Sequence, residues 1–182
     1  YHHDARYGGT AGVTVNLATG VATDGFGDTD SLSNIENVRG SSQDDVLIGD
    51  GGRNEFQGLA GDDYIDGGGG TNDKLQYFYE DGGQGIIADF TAGTVIDTFG
   101  DTDTIKNIED IKGTNLADVV YGDDSNIGFS GYGGSDEFHG GSGWDVLFYS
   151  DDEDKGGEAE IEVNFTNGTV VDGFGDTDYF SG

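Results

Sequence analysis

Apolar residues recur at intervals of nine along two stretches of the chain. Read in nines from Gly40, the segments are GSSQDDVLI, GDGGRNEFQ, GLAGDDYID and GGGGTNDKLQ, the last with one extra residue. Read from Gly113, they are GTNLADVVY, GDDSNIGFS, GYGGSDEFH and GGSGWDVLF. Position one is Gly in all eight segments. Position eight is always apolar: Leu47, Phe56, Ile65, Leu75, Val120, Phe129, Phe138 and Leu147. A short strand centred there points one side chain inward. The glycine-rich half must turn sharply, and Gly permits the positive φ that such turns use. Two segments form a flattened coil of 18 residues. One coil cannot bury its apolar face alone, but stacked coils can.

A second pattern separates the two stretches. Val13, Val15 and Leu17 alternate along one face before a turn near Thr19 and Gly20, the signature of a hairpin. Ile86, Ala88 and Phe90 repeat the form, as do Ile161, Val163 and Phe165. Each hairpin leads into an acidic marker: DGFGDTD from Asp24, DTFGDTD from Asp97 and DGFGDTD from Asp172, with starts 73 and 75 residues apart. Leu32, Ile35 and Val38, and likewise Ile105, Ile108 and Ile111, then recur every three residues. That spacing suits a short helical turn or a further rung of the stack. The expected fold is all-β, with coiled blocks over 40–76 and 113–148 and hairpin units over 1–39, 77–112 and 149–182. The third copy of the long repeat stops at Gly182, so the chain reads as a fragment that starts and stops mid-pattern.

Composition raises a question of stability. Val, Leu, Ile and Phe make up about 23% of the chain, just above the range where high charge predicts disorder. The 36 glycines make ordering the backbone costly. There is no cysteine, so disulfides do not supply the difference. The charge indicates what does. Asp and Glu number 37 against 7 Lys and Arg, a net charge of −30. Nucleic acid and anionic membrane surfaces are excluded as natural partners. Multivalent cations are favoured, with basic proteins as the second class. No stretch is long and apolar enough for a membrane span, and no secretory signal opens the chain.

The carboxylates are placed by the nine-residue frame. Position six, allowing for the extra residue, holds Asp45, Asn54, Asp63, Asp73, Asp118, Ile127, Asp136 and Asp145. Residues one coil apart, such as Asp45 and Asp63 or Asp118 and Asp136, fall about 4.8 Å apart on one edge of a stack. Bare carboxylates at that spacing repel. Calcium bonds oxygen at about 2.3–2.6 Å and fits between such rungs, with turn carbonyls completing its shell. Hard oxygen donors and flexible geometry favour calcium over zinc, and the lack of cysteine agrees. The markers offer further pairs: Asp28 and Asp30, Asp101 and Asp103, Asp176 and Asp178, with Asp24 and Glu36 near the first. These pairs are either a second kind of ion site or solvated turns in which Asp bonds the backbone.

The nonapeptides resemble the GGxGxDxUx repeats of RTX proteins, the hemolysin-type calcium-binding repeats. GLAGDDYID, GYGGSDEFH and GGSGWDVLF match best, and the likeness covers about 73 residues in two blocks of four. The intervening units resemble linker hairpins found beside such repeats in large bacterial secreted proteins. The resemblance implies a right-handed parallel β-roll with several calcium ions in its turns. Asp45, Asn54, Asp63, Asp73, Asp118, Asp136 and Asp145 would be side-chain ligands, with Gly61, Gly134 and Gly143 in the ligating turns. It also implies export by a one-step (type I) exporter and calcium-driven folding outside the cell or at its surface. This sequence departs from the family pattern in places. Asn54 keeps an oxygen at lower charge, and Ile127 cannot ligate. GSSQDD and GTNLAD lack the inner glycines, and the family's C-terminal export signal is not in this sequence.

Trp144 and Tyr132 sit in glycine turns, where side chains are expected to point outward, and exposed aromatics stack on sugars. A polysaccharide-binding module is therefore one alternative, although the two fall on opposite edges. A self-assembling surface-layer or filament unit, binding copies of itself, is another. The aromatic runs from Tyr77 to Tyr79 and from Leu147 to Tyr149 are expected to cover the open ends of the blocks. His2, His3 and His139 are scattered and set no metal spacing. No nucleophile elbow or other catalytic motif appears, and the expected role is non-enzymatic.

Overall fold

The computed structural model describes His3, Asp4 and residues 8–182; His2 lies outside them. Strands fall in groups of four. The first hairpin unit gives β1 (Thr14–Asn16), β2 (Val21–Thr23), β3 (Thr29–Ser31) and β4 (Asn37–Arg39). The first nonapeptide block gives β5 (Val46–Ile48), β6 (Glu55–Gln57), β7 (Tyr64–Asp66) and β8 (Lys74–Gln76). The second unit gives β9 (Ile87–Asp89), β10 (Thr94–Ile96), β11 (Thr102–Lys106) and β12 (Asp110–Lys112). The second block gives β13 (Val119–Tyr121), β14 (Gly128–Ser130), β15 (Glu137–His139) and β16 (Val146–Leu147). A single helical turn, α1 (Asp152–Lys155), precedes β17 (Glu162–Asn164), β18 (Thr169–Val171) and β19 (Thr177–Ser181).

These strands form two sheets. The larger has 13 strands in the order β17-β18-β19-β15-β13-β9-β10-β11-β7-β5-β1-β2-β3, and the smaller has six in the order β16-β14-β12-β8-β6-β4. Successive nonapeptides alternate between the sheets, and those in one sheet pair in parallel. Val46 lies opposite Tyr64 and Val119 opposite Glu137, the expected offset of one coil. In the smaller sheet Glu55 lies opposite Lys74, so the extra residue of the fourth segment is absorbed in its turn.

The hairpin units are part of the same stack. β9, β10 and β11 form an antiparallel meander whose outer strands pair in parallel with β13 and β7. Meanwhile β12 bridges β8 and β14 in the smaller sheet. The recurrence of Ile105, Ile108 and Ile111 is thus a rung, not a helix. All three are buried in one core with Val15, Leu47, Ile65, Leu75, Ala88, Val95, Val120 and Phe129. Burying each large aliphatic or aromatic side chain contributes about 1.5–3 kcal/mol. Among the described residues no helix is long and apolar enough to cross a membrane.

The aromatic runs do not cover open ends. Tyr77 is fully buried inside the continuous stack, and Phe148 and Tyr79 remain exposed.

Candidate metal centre

Position six sits just before each strand, and the turn folds its side chain back over position one. A methyl group at Gly58 would overlap Asp63 Oδ2, and one at Gly131 would overlap Asp136 Oδ2. Gly40 and Gly113 stand in the same relation to Asp45 and Asp118. At these positions the acid occupies the space of a side chain, whereas at Gly49, Gly67 and Gly122 a backbone carbonyl of the next rung does.

Along the larger sheet the acids form two relays. The amide of Asp45 donates to Asp63 Oδ1 at 2.8 Å, and that of Asp63 donates to Asp103 Oδ1 at 3.1 Å. In the second block Asp118 donates to Asp136 Oδ1 at 2.9 Å, and Asp136 donates to Asp178 Oδ1 at 3.0 Å. The marker acids Asp103 and Asp178 therefore extend the nonapeptide row instead of forming a separate site. At the head of each relay the acid is satisfied by backbone. Asp45 accepts from Val13 and Ser41, and Asp118 accepts from Ile86 and Thr114.

The next acid in each relay lacks that second donor. Asp63 Oδ2 and Asp136 Oδ2 are buried without a hydrogen-bond partner. Here position two is Leu59 or Tyr132, each at positive φ, in place of the Ser41 or Thr114 whose amide serves the preceding acid. These two turns belong to the segments that best match the nonapeptide pattern. Their position-four glycines, Gly61 and Gly134, have φ of 114° and 109° and lie against Gln43 and Leu116 of the preceding turn. Gly143 lies likewise against the Ser125 carbonyl. Backbone carbonyls and carboxylates thus share this edge.

Burial, with repulsion from Asp103, Asp45 and Glu80, pushes the Asp63 carboxyl up to about 9. Burial and the neighbouring Asp118, Asp178 and Asp172 push Asp136 up to about 9 as well. Asp103 and Asp118 rise to about 7, chiefly through burial. Among the described residues, the Lys ion pairs reach Asp66, Asp110 and Asp151, and none reaches the relay acids. A buried anion without a cation is costly.

The smaller sheet carries a weaker version. Asn54 donates its amide to Asp73 Oδ1 at 2.7 Å, and Asp73 donates to Glu109 Oε2 at 2.9 Å. Glu109, missed in the sequence, thereby joins this row; its signal was the repeated NIE triplet of the two linkers. Ile127 contributes only its amide, to Asp145 Oδ1 at 3.1 Å.

The first acid of each marker pair serves a turn. Asp101 and Asp176 accept from the amides of Gly61 and Gly134, and Asp28 donates its amide to Asp24. Asp28 and Asp30 are exposed, with Asp30 on the edge strand β3. Asp24, Asp97 and Asp172 each accept two or more turn amides through Oδ1, and Asp97 and Asp172 are buried, not solvated.

Tyr132 is a correction to the sequence reading. It is 2% exposed, packed on Phe78, whereas Trp144 is 78% exposed. The side chain of a positive-φ turn residue here folds onto the neighbouring unit, so the two aromatics share no sugar-binding face. Sequence reasoning also missed Tyr77, Glu80 and Asp97, together with their counterparts Tyr149, Asp152 and Asp172. Their signal was an acid three residues after a tyrosine at the end of each block. Among the described residues no three acidic or histidine side chains are already gathered at metal-binding distance. No protein-family model matches the chain, and no curated protein matches it.

Proposed function

We propose that the chain is a calcium-binding repeat region whose ions supply the folding energy that its thin core lacks. One observation carries this reading. Two rows of buried acids run along one sheet edge, among the described residues no Lys ion pair reaches them, and Asp63 and Asp136 each keep one oxygen unpartnered. Hard oxygen donors of this kind suit calcium. Asp45, Asp63, Asp118 and Asp136 would hold ions between successive turns of the larger sheet, with Asp103 and Asp178 closing each row. Asn54, Asp73 and Asp145 would hold others in the smaller sheet, and the carbonyls beside Gly61, Gly134 and Gly143 would complete the shells.

On this reading the two sheets are the flanks of a parallel β-roll of the RTX kind, interrupted by hairpins. The region is non-enzymatic, acts outside the cell or at its surface, and folds there as a rigid spacer of a larger exported protein. Binding and folding are then one event. Far-ultraviolet circular dichroism through a calcium titration, with magnesium as control, tests it. A cooperative coil-to-β transition with calcium alone is expected. A chain equally folded in chelator would overturn it.

A further inference from the structure

Beyond the turns, the structure holds a second acidic feature, built twice at the junction of nonapeptide block and hairpin. In the first copy Tyr77 donates its hydroxyl to Asp103 Oδ2 at 2.7 Å, beneath the relay bond from Asp63. Glu80 accepts from Thr98 Oγ1 at 2.9 Å through Oε2, leaving Oε1 buried and unpartnered. Asp97 is fully buried; its Oδ1 holds the turn amides of Phe99, Gly100 and Asp101, and its Oδ2 has no partner. Asp63 Oδ2 is a third orphaned oxygen, on the acid whose amide donates to Asp103, and Glu80 lies within the field of Asp63 and Asp97.

The second copy repeats this arrangement with different residues. Tyr149 donates to Asp178 Oδ2 at 3.0 Å. Asp152 stands in for Glu80, accepting from Gly173 through Oδ2 and leaving Oδ1 orphaned. Asp172 Oδ2 and Asp136 Oδ2 complete the set. Asp136, Tyr149 and Asp178 border one gap between side chains, too narrow for a water molecule, with Phe129 and Phe138. The acids of each copy lie within one another's field. Glu80 is raised by burial and then by Asp97 and Asp103, and Asp178 by burial and then by Asp172 and Asp152.

Two sequences that differ at the Glu80 and Asp152 position leave the same three oxygens unsatisfied. Orphaned buried oxygens are rare in folded proteins and call for a partner. Chance or local misfit does not explain a duplicate. In the first copy the Phe99, Gly100 and Asp101 amides are engaged by Asp97 Oδ1, and the Leu59 amide is the backbone donor that faces Glu80.

We infer that each copy forms a chamber that is a divalent-cation site in its own right, walled by Asp63, Glu80, Asp97 and Asp103 in one copy and by Asp136, Asp152, Asp172 and Asp178 in the other. This rests on Asp63 and Asp136 being calcium ligands, as read above, and adds Glu80, Asp97, Asp152 and Asp172 as ligands that no nonapeptide contains. The ion draws in carboxylates that are near one another but not yet at bonding distance. It sits where a hairpin is spliced into the stack, and so it fastens each hairpin to the block before it. The first unit carries only part of this set. Asp4 accepts from Gly25 as Asp152 does from Gly173, but Asp30 is exposed at the sheet edge. Two chamber ions per chain are therefore expected.

The test compares the wild-type chain with the double variant Asp97→Asn/Asp172→Asn. Asparagine keeps the Oδ1 acceptor that holds each turn and removes only the charge facing the chamber. Calcium bound per chain is measured by equilibrium dialysis, with circular dichroism to verify folding. Terbium emission sensitised by Tyr77 and Tyr149 provides a second readout. The expected result is a loss of two ions per chain and a drop in tyrosine-sensitised emission, with the calcium-saturated β-spectrum retained. Glu80→Gln/Asp152→Asn should give the same loss from the opposite wall. Unchanged stoichiometry and emission in both double variants would overturn the proposal. Asp73→Asn, outside both chambers, separates this inference from the reading of the turns. Loss of an ion there with none lost in the chamber variants leaves the turns and refutes the chambers. The reverse leaves the chambers and refutes the smaller-sheet turns.

Discussion

The two edges of the stack are built from the same nine-residue unit, yet they differ in charge. On the larger sheet every position-six residue is an acid, and marker acids lengthen each row to three: Asp45, Asp63, Asp103 and Asp118, Asp136, Asp178. On the smaller sheet the same position holds Asn54, Asp73, Ile127 and Asp145. Lys74 and Lys112, both in smaller-sheet strands, form ion pairs with Asp110 and Asp151, whereas the larger sheet has one Lys pair among the described residues, Lys106 with Asp66, off the acid rows. The larger sheet therefore concentrates uncompensated charge, and the smaller sheet dilutes it. The difference originates in the hairpins. The meanders are spliced into the larger sheet, and those of the second and third units carry Asp103 and Asp178 into its rows. The smaller sheet receives one strand from each of the first two units, β4 and β12, with Glu36 and Glu109 before them.

The largest effect expected from this contrast is that of calcium itself. At a free concentration 100 times its dissociation constant, each ion bound only by the folded chain adds about 2.7 kcal/mol. Several such sites exceed the whole stability of a small domain, typically about 5–15 kcal/mol. Chelation should therefore unfold the chain. Hydrogen exchange during a stepwise calcium titration should protect the larger-sheet strands at lower calcium than the smaller-sheet strands. Equal protection of both edges at every step would remove the contrast.

A methyl group at position one comes next. Gly58→Ala and Gly131→Ala would push against the carboxylates of Asp63 and Asp136. Overpacking of this kind costs about 1–3 kcal/mol. Calcium affinity should fall as well, since the displaced group is the ligand. Gly51→Ala, where nothing lies near the added methyl, is the control and should change the thermal midpoint little. A midpoint lowered equally by all three would mean that turn entropy, not the acid, sets the demand for glycine.

The pH dependence of the calcium-free chain is a third, smaller probe. Asp63 and Asp136 stand at about 9, Glu80 at about 8 and Asp103 at about 7. Unfolded carboxyls titrate near about 4. Folded-state values raised in this way mean that the folded chain holds protons which the unfolded chain releases. The stabilisation is complete below about pH 4 and is lost as pH climbs toward about 9. In chelator the chain, unfolded at pH 8, should thus recover β-structure as the pH falls toward 5, protons taking the place of the ions. Saturating calcium should flatten or reverse that slope, because ions and protons compete for the same oxygens. β-structure in chelator that instead grows as the pH rises would contradict the burial of these acids.

Much of this arrangement was legible in the sequence. Position eight named the core, position one the tight contact and position six the acid row. The offset of one coil between Asp45 and Asp63 also held. Continuity of the stack through the hairpins was not legible. Alternation in VTVNL shows a strand but not its neighbour, and whether β11 pairs with β7 depends on contacts 40 residues apart. Hence Asp103 and Asp178 read as a separate turn site until the register joined them to the row. Tyr132 misled for a related reason: position two of a turn faces outward only if nothing packs there, and here the next unit does. Glu80, Asp97 and their counterparts were invisible one at a time, because in so acidic a chain a lone carboxylate carries no signal.

The smallest expected effect is the one that moves a smaller-sheet rung toward the larger-sheet state. Asn54 Oδ1 accepts from the Asp50 amide at 2.8 Å, and its Nδ2 makes only a long contact of 3.4 Å with the Glu36 carbonyl. Asn54→Asp keeps the acceptor and loses little hydrogen bonding. It adds a buried charge one rung from Asp73, whose carboxyl is already pushed up by burial. At limiting calcium the variant should be less stable, because the added carboxylate is buried without a cation. At saturating calcium the sign should reverse, because two carboxylates now face one ion where a carboxylate and an amide did before. The calcium concentration needed to protect β6 and β8 should fall toward that for β5 and β7. If the variant instead loses stability in both conditions, side-chain charge is not what separates the edges. The cause would then lie in the spliced hairpins, which only the larger sheet receives.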